Sequence, residues 1–128
     1  MSQSQILLVE DDQALLGALT DTLRAEGYLT QPAINGDVAL ILLQQRVPFR
    51  LLITDIVLPG VVDGFALARR AREFRPGIPI IYTTGYAQVA HIRAQGAPYG
   101  KMLVKPWKAE TMLRAISTAL GEHTVQVA

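Results

Sequence analysis

The chain has 128 residues, a length that suits one compact domain. Half of the residues are hydrophobic (50%), so a buried core can form and extensive disorder is not expected. Twelve Lys and Arg residues against eleven Asp and Glu residues give a net charge of +1. This near balance argues against a nucleic-acid-binding module that depends on bulk basic charge.

Several residue types and segments that define other classes of protein are missing from the sequence. Cysteine is absent, which excludes disulfide scaffolds, thiolate metal sites and cysteine nucleophiles. His91 and His123 are too few for a histidine-rich metal site. The N-terminus has no secretory signal pattern, and no apolar run approaches the roughly 20 residues that span a membrane. We therefore expect a single cytoplasmic domain over residues 1–128, without a membrane partner.

The first half of the chain alternates between short apolar runs and segments with helical periodicity. Residues 6–9 predict a first strand, and apolar residues at helical spacing predict a helix over 14–23. A weaker strand is predicted at 28–33. Asn35 is expected to cap a second helix that ends before Pro48.

The second half continues this alternation with three more strands and three more helices. The strands are predicted at 51–55, 78–83 and 102–104, and the helices at 65–74, 86–95 and 109–120. Four of the five strands lack polar alternation, which is typical of parallel strands buried on both faces. Five strands alternating with five helices predict an α/β fold, with right-handed crossovers and helices on both faces of a parallel sheet.

Polar side chains follow four of the predicted strands, at the edge where an open parallel sheet binds ligands. These residues are Glu10, Asp11, Asp12, Asp55, Thr83, Thr84 and Lys105. Any one of them could simply begin an exposed loop, but their coincidence at four strand ends favours a functional site. Clustered carboxylates repel one another unless a cation neutralises them, and hard oxygen ligands of this kind suit Mg²⁺.

Five motifs in order resemble the receiver domain of bacterial two-component response regulators. They are ILLVEDD at 6–12, ITDIVLPG at 53–60, DGF at 63–65, IPIIYTTG at 78–85 and LVKPW at 103–107. The resemblance covers about residues 6–120 and leaves 121–128 as a tail. It implies a (βα)5 doubly wound, flavodoxin-like fold whose five parallel strands have the order 2-1-3-4-5.

The resemblance also implies a role for the acidic residues. Asp55 looks like the phosphoacceptor, which takes a phosphoryl group from the phosphohistidine of a sensor histidine kinase or a phosphotransfer protein. Asp11 matches the direct ligand of Mg²⁺, and Glu10 matches the residue that acts through water. Asp55 and the backbone carbonyl of Val57 would be the other protein ligands. Such a domain is a phosphoacceptor that assists its own phosphorylation and dephosphorylation, and is not otherwise an enzyme.

Thr84, rather than Thr83, matches the switch hydroxyl of the family, and Thr83 is interpreted as an ordinary β-branched strand residue. Lys105 matches the lysine that pairs with phosphoryl oxygens, and the Lys105–Pro106 bond is expected to be cis. The implied mechanism is phosphoryl transfer by positioning and charge neutralisation. Phosphorylation would then change a surface that contacts an unidentified downstream protein.

A few positions depart from the usual family pattern. Met102 stands where most receivers have Tyr or Phe, so an aromatic rotamer switch cannot occur there. The loop 59–64 is one residue longer than the common form, as in receivers attached to, or encoded beside, hybrid histidine kinases. Asp63 in that loop is expected to be a helix cap. Val57 and Tyr86 are bulky at positions that tune hydrolysis, which predicts a long-lived phosphorylated form.

Three alternative classes of protein agree less well with the sequence. A flavin or nucleotide carrier needs a Gly- or Thr-rich loop after the first strand, whereas Glu10, Asp11 and Asp12 would repel phosphate. A Mg²⁺ nuclease or topoisomerase-like domain needs an acid–x–acid pair on a later strand, which Asp55 does not begin. A phosphorylation-independent interaction module with the receiver fold is the remaining alternative. No output domain is recognisable, so we expect either a stand-alone receiver or one cut from a longer protein. Met1 close to the first strand favours a stand-alone receiver or an N-terminal domain. We expect no direct nucleic-acid binding.

Overall fold

The computed structural model describes residues 5–85 and 100–122. Its five strands are β1 Gln5–Val9, β2 Leu29–Ala33, β3 Phe49–Asp55, β4 Ile80–Thr84 and β5 Gly100–Val104. Its four helices are α1 Gln13–Ala25, α2 Gly36–Leu43, α3 Gly64–Phe74 and α4 Ala109–Ala119. The helix predicted over 86–95, both histidines and most of the predicted tail lie outside these residues.

All five strands are parallel and form one sheet in the order β2-β1-β3-β4-β5. This order confirms the flavodoxin-like, doubly wound fold that the resemblance implied. Asp55 pairs with Thr83 on the neighbouring strand, and Thr84 pairs with Val104. The carboxyl ends of β1, β3, β4 and β5 therefore lie at one edge of the sheet.

Alternate strand residues contribute to two apolar layers, one on each face of the sheet. One layer joins the sheet to α2 and α3 and includes Leu52 and Tyr82. The other joins it to α1 and α4 and includes Ile53 and Ile81. Burial on both faces explains why most of these strands show no polar alternation. Among the residues described, no helix is long and apolar enough to cross a bilayer.

Three of the helices begin at capping side chains. Asp12, Asn35 and Asp63 each accept a hydrogen bond from the backbone N–H three residues later, at 3.1, 2.8 and 2.8 Å. The predicted caps at Asn35 and Asp63 are thereby confirmed, and Asp12 caps α1 in the same way. Each cap is worth about 1 kcal/mol to its helix. The Asp12 carboxylate is thus hydrogen-bonded to the first turn of α1.

Gly64 begins α3 in close contact with the end of β3. A Cβ atom at this position would stand 2.0 Å from the backbone oxygen of Asp55. The Gly64 N–H also donates to the carbonyl of Ile56 at 2.8 Å. Glycine is required by this close approach, which holds the loop after Asp55 against the strand.

Replacing Gly64 with alanine should therefore destabilise the protein, by about 1–3 kcal/mol, because the new methyl group overlaps backbone atoms that cannot move freely. Gly17 offers a matched control in α1, since a Cβ there meets nothing within 4 Å. Gly17→Ala should instead stabilise the protein by about 0.5–1 kcal/mol through helix propensity. Urea denaturation of both variants measures the difference. A neutral Gly64→Ala would contradict the close packing.

Candidate functional site

An open cleft of about 470 Å³ lies at the carboxyl edge of the sheet. Its lining residues are Glu10, Asp11, Asp12, Asp55, Val57, Thr84, Gly85 and Lys105. All of these except Gly85 were singled out from the sequence, Asp12 only as one of the polar residues that follow the first strand and Val57 as a metal ligand only through its backbone carbonyl. The fold therefore brings together side chains that are as much as 95 positions apart in the chain.

Lys105 occupies the centre of this cleft between two buried carboxylates. Its Nζ atom lies 2.6 Å from Oε1 of Glu10 and 2.9 Å from Oδ1 of Asp55. It also donates to Oδ2 of Asp55 at 3.2 Å. The side chains of Glu10 and Asp55 are only 3% and 6% exposed, whereas that of Lys105 is 25% exposed. The ammonium group thus faces the acids on one side and solvent on the other.

The charge state of the site follows from this burial. Desolvation raises the pKa of Glu10, the neighbouring Asp55 raises it further, and the hydrogen bond from Lys105 only partly offsets both effects. For Lys105, desolvation lowers the pKa, but its bonds to Glu10 and Asp55 together outweigh that effect and leave the pKa raised. Lys105 is therefore protonated and positively charged at neutral pH, whereas the ionised form of Glu10 is destabilised by burial and by the neighbouring Asp55.

Three carboxylates are close enough to share one metal ion. Glu10, Asp11 and Asp55 each offer an oxygen atom, and these atoms lie within 4.8 Å of one another. Glu10 and Asp55 are buried and Asp11 is exposed, so the group is open to water on one side. Oxygen donors beside an open cleft fit Mg²⁺, which binds few carboxylates and keeps several waters. Asp12 is not in this group, in keeping with its capping role.

Thr83 makes a contact with the site that the sequence analysis missed. Its hydroxyl donates to Oδ1 of Asp55 at 2.7 Å, and both residues are 4% exposed. The interpretation of Thr83 as an ordinary strand residue was therefore incomplete. Only the register of β3 against β4, which pairs these two residues, reveals the contact. Thr84 is also buried and lines the cleft, and its backbone oxygen accepts from the Lys105 N–H at 2.6 Å.

The remaining predicted positions are arranged around the cleft. The Lys105–Pro106 peptide bond is cis, as expected. Val57 is half exposed at the cleft wall, and Tyr86 lies outside the described residues. Met102 is half buried and packs against the layer of α2 and α3. The role of the Val57 carbonyl as a metal ligand stays a prediction.

These features, a doubly wound sheet with an acidic cluster and a lysine at its carboxyl edge, agree with what the sequence motifs implied. The chain matches the response regulator receiver domain family over residues 6–117 and belongs to that family. It is thus a phosphoacceptor signalling domain of two-component systems, a class of signalling domain and not a conventional enzyme.

Particular relatives support this assignment. The chain is 40% identical over 117 residues to the response regulator receiver protein CpdR of Brucella abortus, covering 91% of this chain and 96% of that protein. The receiver domain of the hybrid histidine kinase CckA superposes with a TM-score of 0.78 at 30% identity, covering 91% and 99% of the two chains. A receiver protein from Sinorhizobium medicae gives a TM-score of 0.83 at 30% identity, covering 94% and 96%.

The raised pKa of Glu10 predicts how the stability of the metal-free protein depends on pH. When the pKa of an acid is higher in the folded state than in the unfolded state, the folded protein loses stability as pH rises above the usual pKa of that group. For Glu10 the usual pKa is 4.5. Glu10→Gln removes this ionisation. The free energy of unfolding of the variant should therefore increase relative to that of the parent between pH 4.5 and neutrality. Urea titrations in EDTA at several pH values measure the gain.

The same substitution at the exposed Glu110 in α4 is the control for this experiment. A difference between Glu10→Gln and the parent that stayed constant with pH would show that Glu10 ionises without penalty.

Proposed function

We propose that Asp55 receives the phosphoryl group from the phosphohistidine of a sensor histidine kinase or of a phosphotransfer protein. The observation that carries this proposal is the position of its carboxylate at the end of β3, 2.9 Å from the Lys105 ammonium. In the transfer, a carboxylate oxygen forms a bond to phosphorus while the phosphorus–nitrogen bond breaks. The electron pair of that bond returns to the imidazole.

Lys105 is suited to stabilise this transfer because its charge can face more than one oxygen. The ammonium already contacts both oxygens of Asp55, and the side chain is partly exposed toward the cleft. Turning on its flexible stem, it can pair with phosphoryl oxygens as they arrive. In this way the chain assists its own phosphorylation and, with water as the acceptor, its own dephosphorylation.

The acidic group supports a magnesium site in the same cleft. Asp11 would bind Mg²⁺ directly, Glu10 would act through water, and Asp55 and the Val57 carbonyl would be the remaining protein ligands. The clustered oxygen atoms within 4.8 Å and the exposure of Asp11 support this donor set. A bound Mg²⁺ would offset negative charge on the carboxylates and on the incoming phosphoryl group.

Thr84 is the residue that we expect to read the phosphorylated state. It is 2% exposed, lines the cleft, and is linked through its backbone oxygen to Lys105 at the end of β5. A phosphoryl group on Asp55 would be a new hydrogen-bond acceptor for the Thr84 hydroxyl. This bond would draw the end of β4 toward the cleft. With Met102 in β5, the resulting surface change would proceed by repacking and not by the rotation of an aromatic ring.

The partners that we propose follow from the relatives. Similarity to a receiver of a hybrid histidine kinase supports a phosphorelay kinase or phosphotransfer protein as the donor. The output would be the binding of a downstream protein to the surface that phosphorylation changes. We propose that phosphoryl transfer and this binding both occur in the cytoplasm. The near-neutral charge of the chain supports an output through protein contacts instead of direct nucleic-acid binding.

The phosphoacceptor assignment predicts the result of chemical phosphorylation. Incubation with acetyl phosphate and Mg²⁺ should add one phosphoryl group to the parent protein, as measured by intact mass. Asp55→Asn should abolish the addition because an amide is not a nucleophile for phosphorus. Asp12→Asn is a matched control, since asparagine also caps a helix and Asp12 lies outside the acidic group.

Undiminished labelling of Asp55→Asn would assign the phosphoacceptor to another residue. A parent protein that accepts no phosphoryl group, either from acetyl phosphate or from phosphorylated kinases, would instead favour the interaction module that does not use phosphorylation.

The metal site predicts a second measurable response. Mg²⁺ at 100 times its dissociation constant should raise the free energy of unfolding by about 2.7 kcal/mol, because it binds only the folded state. Asp11→Ala should remove this gain, whereas Asp12→Asn should retain it. Trp107, the only tryptophan, provides a fluorescence signal close to Lys105 for the same titration. Identical titrations of Asp11→Ala and the parent would locate the metal elsewhere.

A further inference from the structure

The hydrogen bond from Thr83 to Asp55 has no part in the function proposed above. Oγ1 of Thr83 lies 2.7 Å from Oδ1 of Asp55, on the strand directly beside it. The threonine side chain is held in the sheet, and the contact is shielded from solvent. The Asp55 carboxylate therefore has a neutral donor held in the sheet, in addition to the partly exposed Lys105.

We propose that Thr83 accelerates the loss of the phosphoryl group from Asp55 by stabilising the carboxylate that is released. This inference rests on the proposed role of Asp55 as the phosphoacceptor. In hydrolysis a water oxygen bonds to phosphorus and the bond between phosphorus and the Asp55 oxygen breaks. The electron pair returns to the carboxylate, the water gives a proton to solvent, and inorganic phosphate leaves.

The direction of the effect follows from the charge on the acceptor. A hydrogen bond to an ionised acceptor is about twice as strong as one to a neutral acceptor. In the aspartyl phosphate both Asp55 oxygens are neutral acyl oxygens, whereas in the released carboxylate they share a negative charge. Thr83 therefore stabilises the released state, and the transition state that leads to it, more than the phosphorylated state. This holds whichever of the two oxygens carried the phosphoryl group.

Lys105 also contacts Asp55, but its contribution differs from that of Thr83. Its ammonium contacts Glu10 and both Asp55 oxygens, and its stem is partly exposed, so it can follow the charge onto the phosphoryl oxygens. The Thr83 hydroxyl is attached to a paired strand residue and stays beside the Asp55 carboxyl group. Lys105 would thus stabilise charge on the phosphoryl group that is transferred, and Thr83 would stabilise charge on the Asp55 carboxylate that remains.

The experiment follows the loss of the phosphoryl group after labelling with acetyl phosphate and removal of the donor. Thr83→Val keeps the β-branched shape and deletes the donor, and Thr83→Ser restores a hydroxyl. Thr54→Val is the matched control, because Thr54 is fully buried and its hydroxyl donates to the backbone oxygen of Asp55 at 2.9 Å. Each variant is measured by intact mass at a Mg²⁺ concentration that saturates its own Trp107 fluorescence response.

Thr83→Val should lose its phosphoryl group about fivefold more slowly than the parent, as expected from losing a charge-assisted bond. Thr83→Ser and Thr54→Val should stay within about twofold of the parent. If circular dichroism shows that Thr83→Val is unfolded, Thr83→Ala takes its place with the same expectation.

Decay of Thr83→Val at the parental rate or faster would overturn the inference. Equal slowing in Thr54→Val would also overturn it, because any buried hydroxyl near Asp55 would then have the same effect. Both outcomes leave the proposed function intact, since the parent is labelled in each. A parent that cannot be labelled at all would refute the proposed function itself, and this inference with it.

Discussion

Two carboxylates are buried at the ends of neighbouring parallel strands, and the arrangement of the site depends on how their charge is compensated. Removing an unpaired carboxylate from water costs several kcal/mol, so Glu10 and Asp55 need a cation within contact distance. Lys105 supplies it at 2.6 and 2.9 Å. The strand order makes this possible, because β1 and β3 are adjacent and the lysine that follows β5 reaches across the end of β4.

The compensation is incomplete, which suits a signalling site. The Lys105 ammonium pairs with only two of the three clustered carboxylates, those of Glu10 and Asp55. The pKa of Glu10 stays raised because burial and Asp55 together outweigh the lysine. A site with excess negative charge favours binding of a divalent cation. The charge of that cation would then offset the negative charge of an incoming phosphoryl group. A fully neutral cluster would be more stable and would have less affinity for either. The residual repulsion therefore suits the Mg²⁺ binding and the phosphoryl transfer that we propose for this site.

Much of this arrangement could be predicted from the sequence because its signals are local. The capping residues Asn35 and Asp63 precede helical patterns, and such caps depend only on the next three residues. The acidic residues and Lys105 directly follow apolar strands, and parallel strands bring their carboxyl ends to a common edge. The strand order itself came from the family resemblance, since the alternation of strands and helices fits more than one order.

The contact of Thr83 could not be predicted because it depends on a register between two strands. Consecutive strand residues point to opposite faces, so only one of Thr83 and Thr84 can face Asp55 across the sheet. Shifting β4 by one residue would exchange them. The close approach of Gly64 to the Asp55 backbone is similarly non-local, because it depends on where α3 packs. Both features concern the same residue: Thr83 contacts the side chain of Asp55 from the neighbouring strand, and Gly64 approaches its backbone from the following helix.

The two donors to Asp55 also differ in what they can do during a reaction. A lysine ammonium on a flexible stem can exchange partners, so it stabilises charge wherever the phosphoryl group takes it. A threonine hydroxyl on a paired strand cannot move with the charge, and its bond is strongest when the charge lies on the carboxylate. A receiver needs a phosphorylated state that forms readily and also ends. A mobile cation serves the first requirement, and a fixed donor that favours the free carboxylate serves the second.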